Sequence, residues 1–281
     1  MIARSDEEAQ GGRLRARRVV HVVDKDDAAY AAKIGTAIAL AERYRTSTDV
    51  LERGRLLRAI DTASRRATGV AKAAAAAAFV RGLIEAGERV LVFAHHHDVY
   101  DILEDHLGQL EPALLTGRQT PTEKAEHKRR WVDGETSLAF LALRGSAGLD
   151  GMQQRGSVMV FVELDWSPQV HTQCEGRLSA RYGLDETLTD LLAYYLVTDT
   201  GHDETMQEAL GLKVAEYSGL LGLTPEGEEE RVLAEQAAER QLDRVIARLQ
   251  DESHRRTTRR AMPSEAEIDA LATDPGLLGA A

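Results

Sequence analysis

Residues 137–181 read SLAFLALRGSAGLDGMQQRGSVMVFVELDWSPQVHTQCEGRLSAR, and this stretch decides the fold. It holds two apolar runs, LAFLAL (138–143) and VMVFVEL (158–164), which are typical of strands buried on both faces of a sheet. A glycine-rich turn follows the first run, and DWSP follows the second. Because glycine has no side chain, the backbone of such a turn can approach a ligand closely. The stretch therefore predicts a ligand-binding edge beyond two buried strands.

Further strands and helices alternate on both sides of this stretch. Predicted strands cover residues 17–24, 89–94, 113–117 and 191–197. Predicted helices cover residues 26–44, 50–66, 70–87, 95–107, 120–132, 168–180 and 201–222. Gly69 is expected to separate the second helix from the third, whose run of alanines favours a helix by itself. Strands that alternate with helices predict an α/β fold with a parallel, doubly wound sheet, whose ligands bind outside the carboxyl ends of the strands.

Composition and charge narrow the class of protein. The 281 residues are 43% apolar and 29% charged, as in a soluble globular protein. No apolar run approaches the roughly 20 residues that span a bilayer, and the basic N-terminal residues lack the apolar region of a secretion signal. The single cysteine, Cys174, favours a reducing compartment, and we expect a cytoplasmic protein with no membrane partner. A net charge of −11 argues against a protein that coats nucleic acid indiscriminately, but not against a local basic groove.

Four phrases, in this order, resemble the second motor lobe of the Swi/Snf-type DNA translocases, a group within the superfamily two helicases. The phrases are GVAK (69–72), VLVFAHHHDVYDIL (90–103), RGSAGLDG (144–151), and DWSP (165–168) followed by Gln173 and Arg177. The resemblance covers residues 17 to about 222 and implies a P-loop-type (RecA-like) lobe. In that family two such lobes clamp one ATP between them and step along duplex DNA.

On this basis the chain divides into four regions. They are a flexible basic leader (1–16), a strand and helical linker (17–88), the RecA-like lobe (89–223) and a long charged helical tail (224–281) whose end is expected to be loosely ordered. The tail carries a thin apolar stripe, which is suited to docking on the lobe or on a partner.

The resemblance implies two catalytic arginines, Arg177 and Arg181. Arg177 corresponds to an arginine finger, which stabilises the negative charge that builds up on the γ-phosphate during hydrolysis. The alternative is an ordinary surface arginine, and the position of Arg177 four residues after Gln173 favours the finger. Arg181 follows Arg177 by four residues where the family has three. The extra residue either rotates Arg181 by about 100° on a continuing helix or is absorbed by a bulge. Leu184 replaces the family's glutamine, which weakens the nucleotide contact there.

The resemblance also implies residues that contact the nucleotide and the DNA. The nucleotide-binding residues are Gly145, Gly148, Asp150 and Gln173, and the DNA-binding residues are His96, Thr116, Ser146 and Lys128. Plainer interpretations exist, because glycine turns are common in α/β proteins and Lys128 equally suits a solvated helix face. No metal site is expected, since the adjacent histidines 95–97 point to alternate faces and lack a cysteine or carboxylate cluster with ligand spacing. Glu163 and Asp165 are interpreted as local structure.

Half of the expected active site is missing from the sequence. No G-x-x-x-x-G-K-[ST] motif is present, so the cradle for the β- and γ-phosphates is absent. DESH (251–254) spells a Walker B acid box, but it lies in the charged tail and not after an apolar strand, so we interpret it as a coincidence. The sequence begins just upstream of the inter-lobe linker. These features predict a split enzyme, in which a separate N-terminal lobe mainly holds ATP and Mg2+ and this chain alone is inactive.

Two other functions fit parts of the pattern. A non-catalytic DNA-binding or regulatory module derived from such a lobe fits the displaced Arg181 and Leu184, whereas a pure binder has no need of Arg177. An unrelated Rossmann-type enzyme fits less well, because AHHHDVY (94–100) stands where G-x-G-x-x-G would follow the first clear strand. The sequence does not indicate whether such a motor unwinds, anneals or only translocates along DNA.

Overall fold

The computed structural model describes residues 16–144, 152, 156, 158–179, 191–199, 202, 203 and 206. Nearly all of the predicted leader, most of the predicted helix at 201–222 and the predicted tail lie outside these ranges. Six strands of the described residues form one sheet, in the order β1-β6-β5-β2-β4-β3, and every neighbouring pair is parallel. The strands are β1 (Arg17–Val22), β2 (Val90–Ala94), β3 (Ala113–Leu115), β4 (Leu138–Ala142), β5 (Val158–Phe161) and β6 (Leu192–Val197). The predicted parallel α/β sheet is confirmed.

The middle of the sheet is buried on both faces. Every residue of β2 and β5 is buried, and Phe93 and Phe161 stack across the pair with ring centroids 5.0 Å apart. Such strands appear in the sequence as continuous apolar runs because neither face meets water. Parallel strands end at the same edge of a sheet, so the residues that follow β2, β4 and β5 meet there.

Helices connect the strands. Those of the described ranges are α1 (Asp27–Thr46), α2 (Val50–Glu85), α3 (His97–Leu107), α4 (Pro121–Asp133) and α5 (Pro168–Ser179). Side chains cap two of the helix starts. Asp26 accepts hydrogen bonds from the backbone N–H groups of Ala28 (2.9 Å) and Ala29 (3.0 Å) before α1. Thr120 and Glu123 form a capping box before α4, which agrees with the predicted start of that helix.

Gly69 does not interrupt the helical region, and the predicted break there is wrong. α2 continues without a gap for 36 residues. A glycine inside a helix costs only about 1 kcal/mol relative to alanine. Gly69 is buried, as are its neighbours Ala67, Val70 and Ala71, so tertiary packing outweighs that penalty.

By length and composition alone, α2 is a helix that could cross a membrane, contrary to our expectation that no such stretch exists. Its most apolar 18-residue window has a mean hydropathy of 1.3, and 56% of that window is buried inside the protein. The core helix of a globular unit passes the same test. We therefore interpret α2 as a core helix.

Lys72, the last residue of the GVAK phrase, is fully buried. Its Nζ donates a hydrogen bond to the carbonyl oxygen of Leu196 in β6, at 2.7 Å. A buried ammonium group is tolerated only where it is hydrogen-bonded, so this contact attaches α2 to the sheet at a defined point.

The described residues fall into two compact units. The first takes the described residues of 16–24 and 72–197 and contains the sheet. The second takes residues 25–71 with 198, 199, 202, 203 and 206, and its core joins α1 to the first part of α2. Large buried side chains of that second core are Tyr30, Ile34, Leu40, Leu56 and Ile60.

Candidate functional site at the carboxyl edge of the sheet

Two acids follow β5, and both are buried. The strand ends at Phe161, and Glu163 and Asp165 come next with 2% and 0% exposure. Oε2 of Glu163 accepts hydrogen bonds from the backbone N–H groups of His95 (2.7 Å) and His96 (2.8 Å). Oε1 of Glu163 lies 2.5 Å from Nδ1 of His96. Glu163 therefore holds the exit of β2, which is a structural role as interpreted from the sequence, but its partners lie 67 and 68 residues away in the chain.

Asp165 binds the chain where it leaves β4. Nε and Nη2 of Arg144 donate to its two carboxylate oxygens at 2.6 and 2.9 Å, and the N–H of Ser167 donates to Oδ1 at 3.0 Å. The Arg144 side chain is 57% exposed, whereas Asp165 is fully buried. Because a buried carboxylate requires such partners, the bidentate pair ties the exit of β4 to that of β5. Asp165 thus also has a structural role, through a partner 21 residues away in the chain.

Arg144 was not among the predicted site residues. Its signal in the sequence was its position as the first residue of RGSAGLDG, directly after an apolar run. Its structural role comes from its pairing with the buried Asp165, which lies 21 residues later in the chain. Local sequence patterns do not show such a pairing.

The start of α5 is fixed by His171, which is 1% exposed. Its Nε2 accepts a hydrogen bond from the backbone N–H of Asp165 at 3.0 Å, and its ring packs edge-on against Phe161 with centroids 4.9 Å apart. The first turn of the helix is therefore attached to the loop that carries the buried acids.

Tyr100 joins the ends of β2 and β4 from the first turn of α3. Its hydroxyl lies 2.6 Å from the carbonyl oxygen of Ala94 and 2.7 Å from that of Leu141, and it accepts the N–H of Ala94 at 3.2 Å. Burial raises the pKa of the Tyr100 hydroxyl well above its ordinary value, so the group keeps the proton that it donates.

We expect Tyr100→Phe to lower the free energy of unfolding by about 1–2 kcal/mol, because buried carbonyl groups lose their donor while the ring stays in place. Urea unfolding at constant slope measures the change. Tyr194→Phe is the matched control, since no hydrogen bond to the Tyr194 hydroxyl occurs in the described part of the chain. Equal midpoints for the two variants would contradict this role of Tyr100.

The sequence and the fold of the chain were compared with those of known proteins. No protein-family model matches the chain. It is 25% identical over 142 residues to SWI/SNF-related matrix-associated actin-dependent regulator of chromatin subfamily A-like protein 1 of Drosophila melanogaster, a match that covers 48% of this chain and 18% of that protein. The chain is thus similar to less than a fifth of the length of this curated relative.

Two solved structures share the fold. The C-terminal part of the Fun30 ATPase domain has a TM-score of 0.54 at 13% identity, over 86% of this chain and 99% of that one. The Sulfolobus solfataricus SWI2/SNF2 ATPase core in complex with dsDNA has a TM-score of 0.54 at 11% identity, over 70% of this chain and 44% of that one. The predicted resemblance to the Swi/Snf-type ATPases is confirmed. The RecA-like fold of their second lobe is confirmed with it.

α5 carries two of the predicted nucleotide-site residues. Gln173 is exposed on the helix. Arg177 lies on the same helix four residues later, and positions four apart share a helix face. The helix backbone therefore keeps the spacing on which the finger interpretation depends. Other predicted residues lie outside the described ones: Arg181, Gly145, Gly148, Asp150 and Ser146.

Two of the predicted DNA-contact residues are buried. His96 is 7% exposed and is held by Glu163. Thr116 is 2% exposed, and both its hydroxyl (2.8 Å) and its backbone N–H (3.0 Å) donate to the side-chain oxygen of Gln119. In this conformation both residues organise strand exits and do not present polar groups at the surface.

Lys128 is the third described residue among the predicted DNA-contact residues. It is partly exposed on α4, beside Arg129. Arg129 forms salt bridges with three neighbouring acids at the surface: Glu126 at 2.8 Å, Asp133 at 2.6 Å and Glu135 at 2.6 Å. Hydrogen bonds with Glu126, Glu135 and Asp133 raise the pKa of Arg129. Since these carboxylates neutralise its charge, Arg129 is poorly suited to binding phosphate.

Histidines are prominent at this edge but do not form a metal site in the described residues. The rings of His95 and His96 meet edge to face, with centroids 4.7 Å apart. Within the ranges that the structure describes, no group of three or more histidine, cysteine or acidic side chains is placed to hold a metal ion.

Proposed function

We propose that this chain is the second motor lobe of an ATP-dependent DNA helicase or translocase of the Swi/Snf type, and that it completes in trans the ATPase site of a separately encoded first lobe. The observation that carries the proposal is the likeness of its fold to nearly the whole C-terminal part of an ATPase domain. Two further observations support it. Hydrogen bonds and ion pairs hold the ends of β2, β4 and β5 together, and Gln173 is exposed on α5. The sequence has no P-loop motif, so ATP and Mg2+ are held mainly by the first lobe.

α5 carries Gln173 and Arg177, which belong to this chain's half of the proposed ATPase site. When ATP is bound on the first lobe, it supplies the phosphoryl group that is transferred to water. Arg177 stabilises the negative charge that develops during this transfer, with Arg181 as a second cation, and Gln173 orients the nucleotide. Arg144 and Asp165 hold the exits of β4 and β5 together, so the loop that leads into α5 stays attached to β4 during closure.

Duplex DNA is the proposed track. The glycine turn with Ser146 and the partly exposed Lys128 are the groups suited to contacting its phosphates, because backbone N–H groups, hydroxyls and ammonium groups bind phosphate without reading sequence. His96 and Thr116 support these contacts indirectly, because their hydrogen bonds fix the chain where it leaves β2 and β3.

The test is DNA-stimulated ATP hydrolysis by this chain, by a P-loop-bearing first-lobe protein from the same source, and by their mixture. We expect each protein alone to be silent and the mixture to be active. A silent mixture in which this chain still binds duplex DNA would instead support the non-catalytic binding or regulatory module.

A further inference from the structure

Glu175, in the middle of α5, accepts hydrogen bonds from two strands at once. Nε and Nη2 of Arg18 in β1 donate to its two carboxylate oxygens at 2.8 and 3.0 Å. The hydroxyl of Tyr195 in β6 donates to the same Oε1 at 2.7 Å. The guanidinium carbon of Arg18 also lies 5.9 Å from the centroid of the Tyr195 ring. We call these three side chains the Glu175 network.

The burial of this network separates it from an ordinary surface ion pair. The Glu175 side chain is 10% exposed and that of Arg18 is 40% exposed. Exposed pairs contribute little to stability, whereas a buried carboxylate that loses its donors is left uncompensated. Burial alone would lower the pKa of Arg18, but the hydrogen bonds with Glu175 and the charge interactions with Tyr195 and Glu175 together outweigh this effect and raise it. Burial also raises the pKa of the Tyr195 hydroxyl, so both groups keep their protons as donors.

The network adds to two other contacts of the same helix. His171 attaches the first turn of α5 to the loop after β5. Cys174 is buried, with its Sγ 3.5 Å from the carbonyl oxygen of Leu143. Glu175 adds the strong, directional contact, because a guanidinium fork that matches both carboxylate oxygens restricts rotation as well as distance.

We propose that Arg18 and Tyr195 are positioning residues, which act through Glu175 to set the orientation of α5 and with it the helix positions of Gln173 and Arg177. This inference rests on the proposed function, in which those two positions meet the nucleotide. Glu175 lies two residues from each of them, which is about 3 Å along the helix axis. A misplacement of about 1 Å at a reacting centre lowers a rate by roughly 100-fold, so small rotations of this helix matter.

Arg18 acts on this helix from a distant part of the sequence. It is 157 residues ahead of Glu175, on the strand at the edge of the sheet, where β1 pairs with β6. β1 therefore contributes to this chain's half of the proposed ATPase site, in addition to preceding the helical linker.

The experiment compares Arg18→Lys and Tyr195→Phe with a matched control, Arg129→Lys. Both arginines donate to carboxylates through two of their nitrogens, but Arg129 does so among exposed acids on α4 and just after it. The first measurement is amide hydrogen exchange of this chain alone. We expect exchange in residues 170–176 to accelerate by about 10-fold in the two network variants, with β2 and β4 unchanged. The control should leave α5 unchanged.

The second measurement is ATP hydrolysis by the mixture with the first-lobe protein. We expect kcat to fall by about 10-fold in both network variants, with KM for ATP and duplex binding unchanged, because the displaced groups act mainly in the transition state. A general loss of structure would instead alter β2 and β4 exchange and duplex binding as well.

The outcomes separate this inference from the function on which it rests. Unchanged exchange in α5 overturns the positioning role whether or not the mixture is active. Faster exchange with an unchanged kcat overturns it too, since the helix orientation would then not matter for the reaction. A silent wild-type mixture refutes the completed ATPase site, while α5 exchange still decides whether the network holds the helix.

Discussion

Arg177→Ala should lower kcat of the mixed lobes by about 1,000-fold or more, with little change in KM for ATP. An arginine finger contributes about 10³–10⁵ in kcat, because it meets charge that develops only in the transition state. The residue lies on α5, four positions after the exposed Gln173. Steady-state hydrolysis with saturating duplex DNA measures the effect.

Arg129→Ala is the control for this experiment. It removes one arginine from the same chain, but this arginine pairs with surface acids on α4 and just after it, which the proposed reaction does not use. An Arg177→Ala mixture that hydrolyses ATP as fast as the control would remove Arg177 from the reaction. Arg181→Ala belongs in the same series, and a fall of about 10-fold or more would show that the displaced arginine still reaches the nucleotide.

The second large effect is expected for Glu163→Ala, on stability. The substitution removes the acceptor of the buried backbone N–H of His96, the acceptor of the partly buried N–H of His95, and the partner of the His96 ring. Each buried group left without a partner costs about 1–3 kcal/mol, so we expect a loss of about 3 kcal/mol or more in the free energy of unfolding. Urea unfolding of this chain alone measures it.

Glu163→Gln is the conservative control. Its amide oxygen can still accept both backbone N–H groups, and its amide nitrogen can donate to Nδ1 of His96. We therefore expect a loss of about 1 kcal/mol, well below that of the alanine variant. Equal losses in the two variants would show that hydrogen bonding by Glu163 is not what stabilises the exit of β2.

Much of the fold could be predicted from local patterns. β2, β4 and β5 are continuous apolar runs because both of their faces are covered, and that condition is visible in a single strand. The start of α4 was visible in Thr120 and Pro121, and the structure adds Glu123, which completes a cap by contacts within one turn. The glycine turn and DWSP could be assigned to one edge because parallel strands end together.

The candidate site was predictable only in part. Gln173 and Arg177 were recognised by their spacing on one helix, which is a local property. Thr116 was assigned to a surface contact, but the structure buries it under Gln119. Gly69 was predicted to break a helix, but its buried neighbours keep α2 continuous. Burial depends on which other segments pack against a residue, and no local pattern contains that information.

The sequence by itself determined the order of strands and helices, the parallel sheet and the helix that carries Gln173 and Arg177. Only the tertiary structure decided which partners the charged residues take: Glu163 binds the exit of β2, Asp165 binds Arg144, and Glu175 binds Arg18. The physical reason is distance along the chain. Secondary structure follows from neighbours within a few residues, whereas a buried carboxylate must find a donor wherever the folded chain brings one.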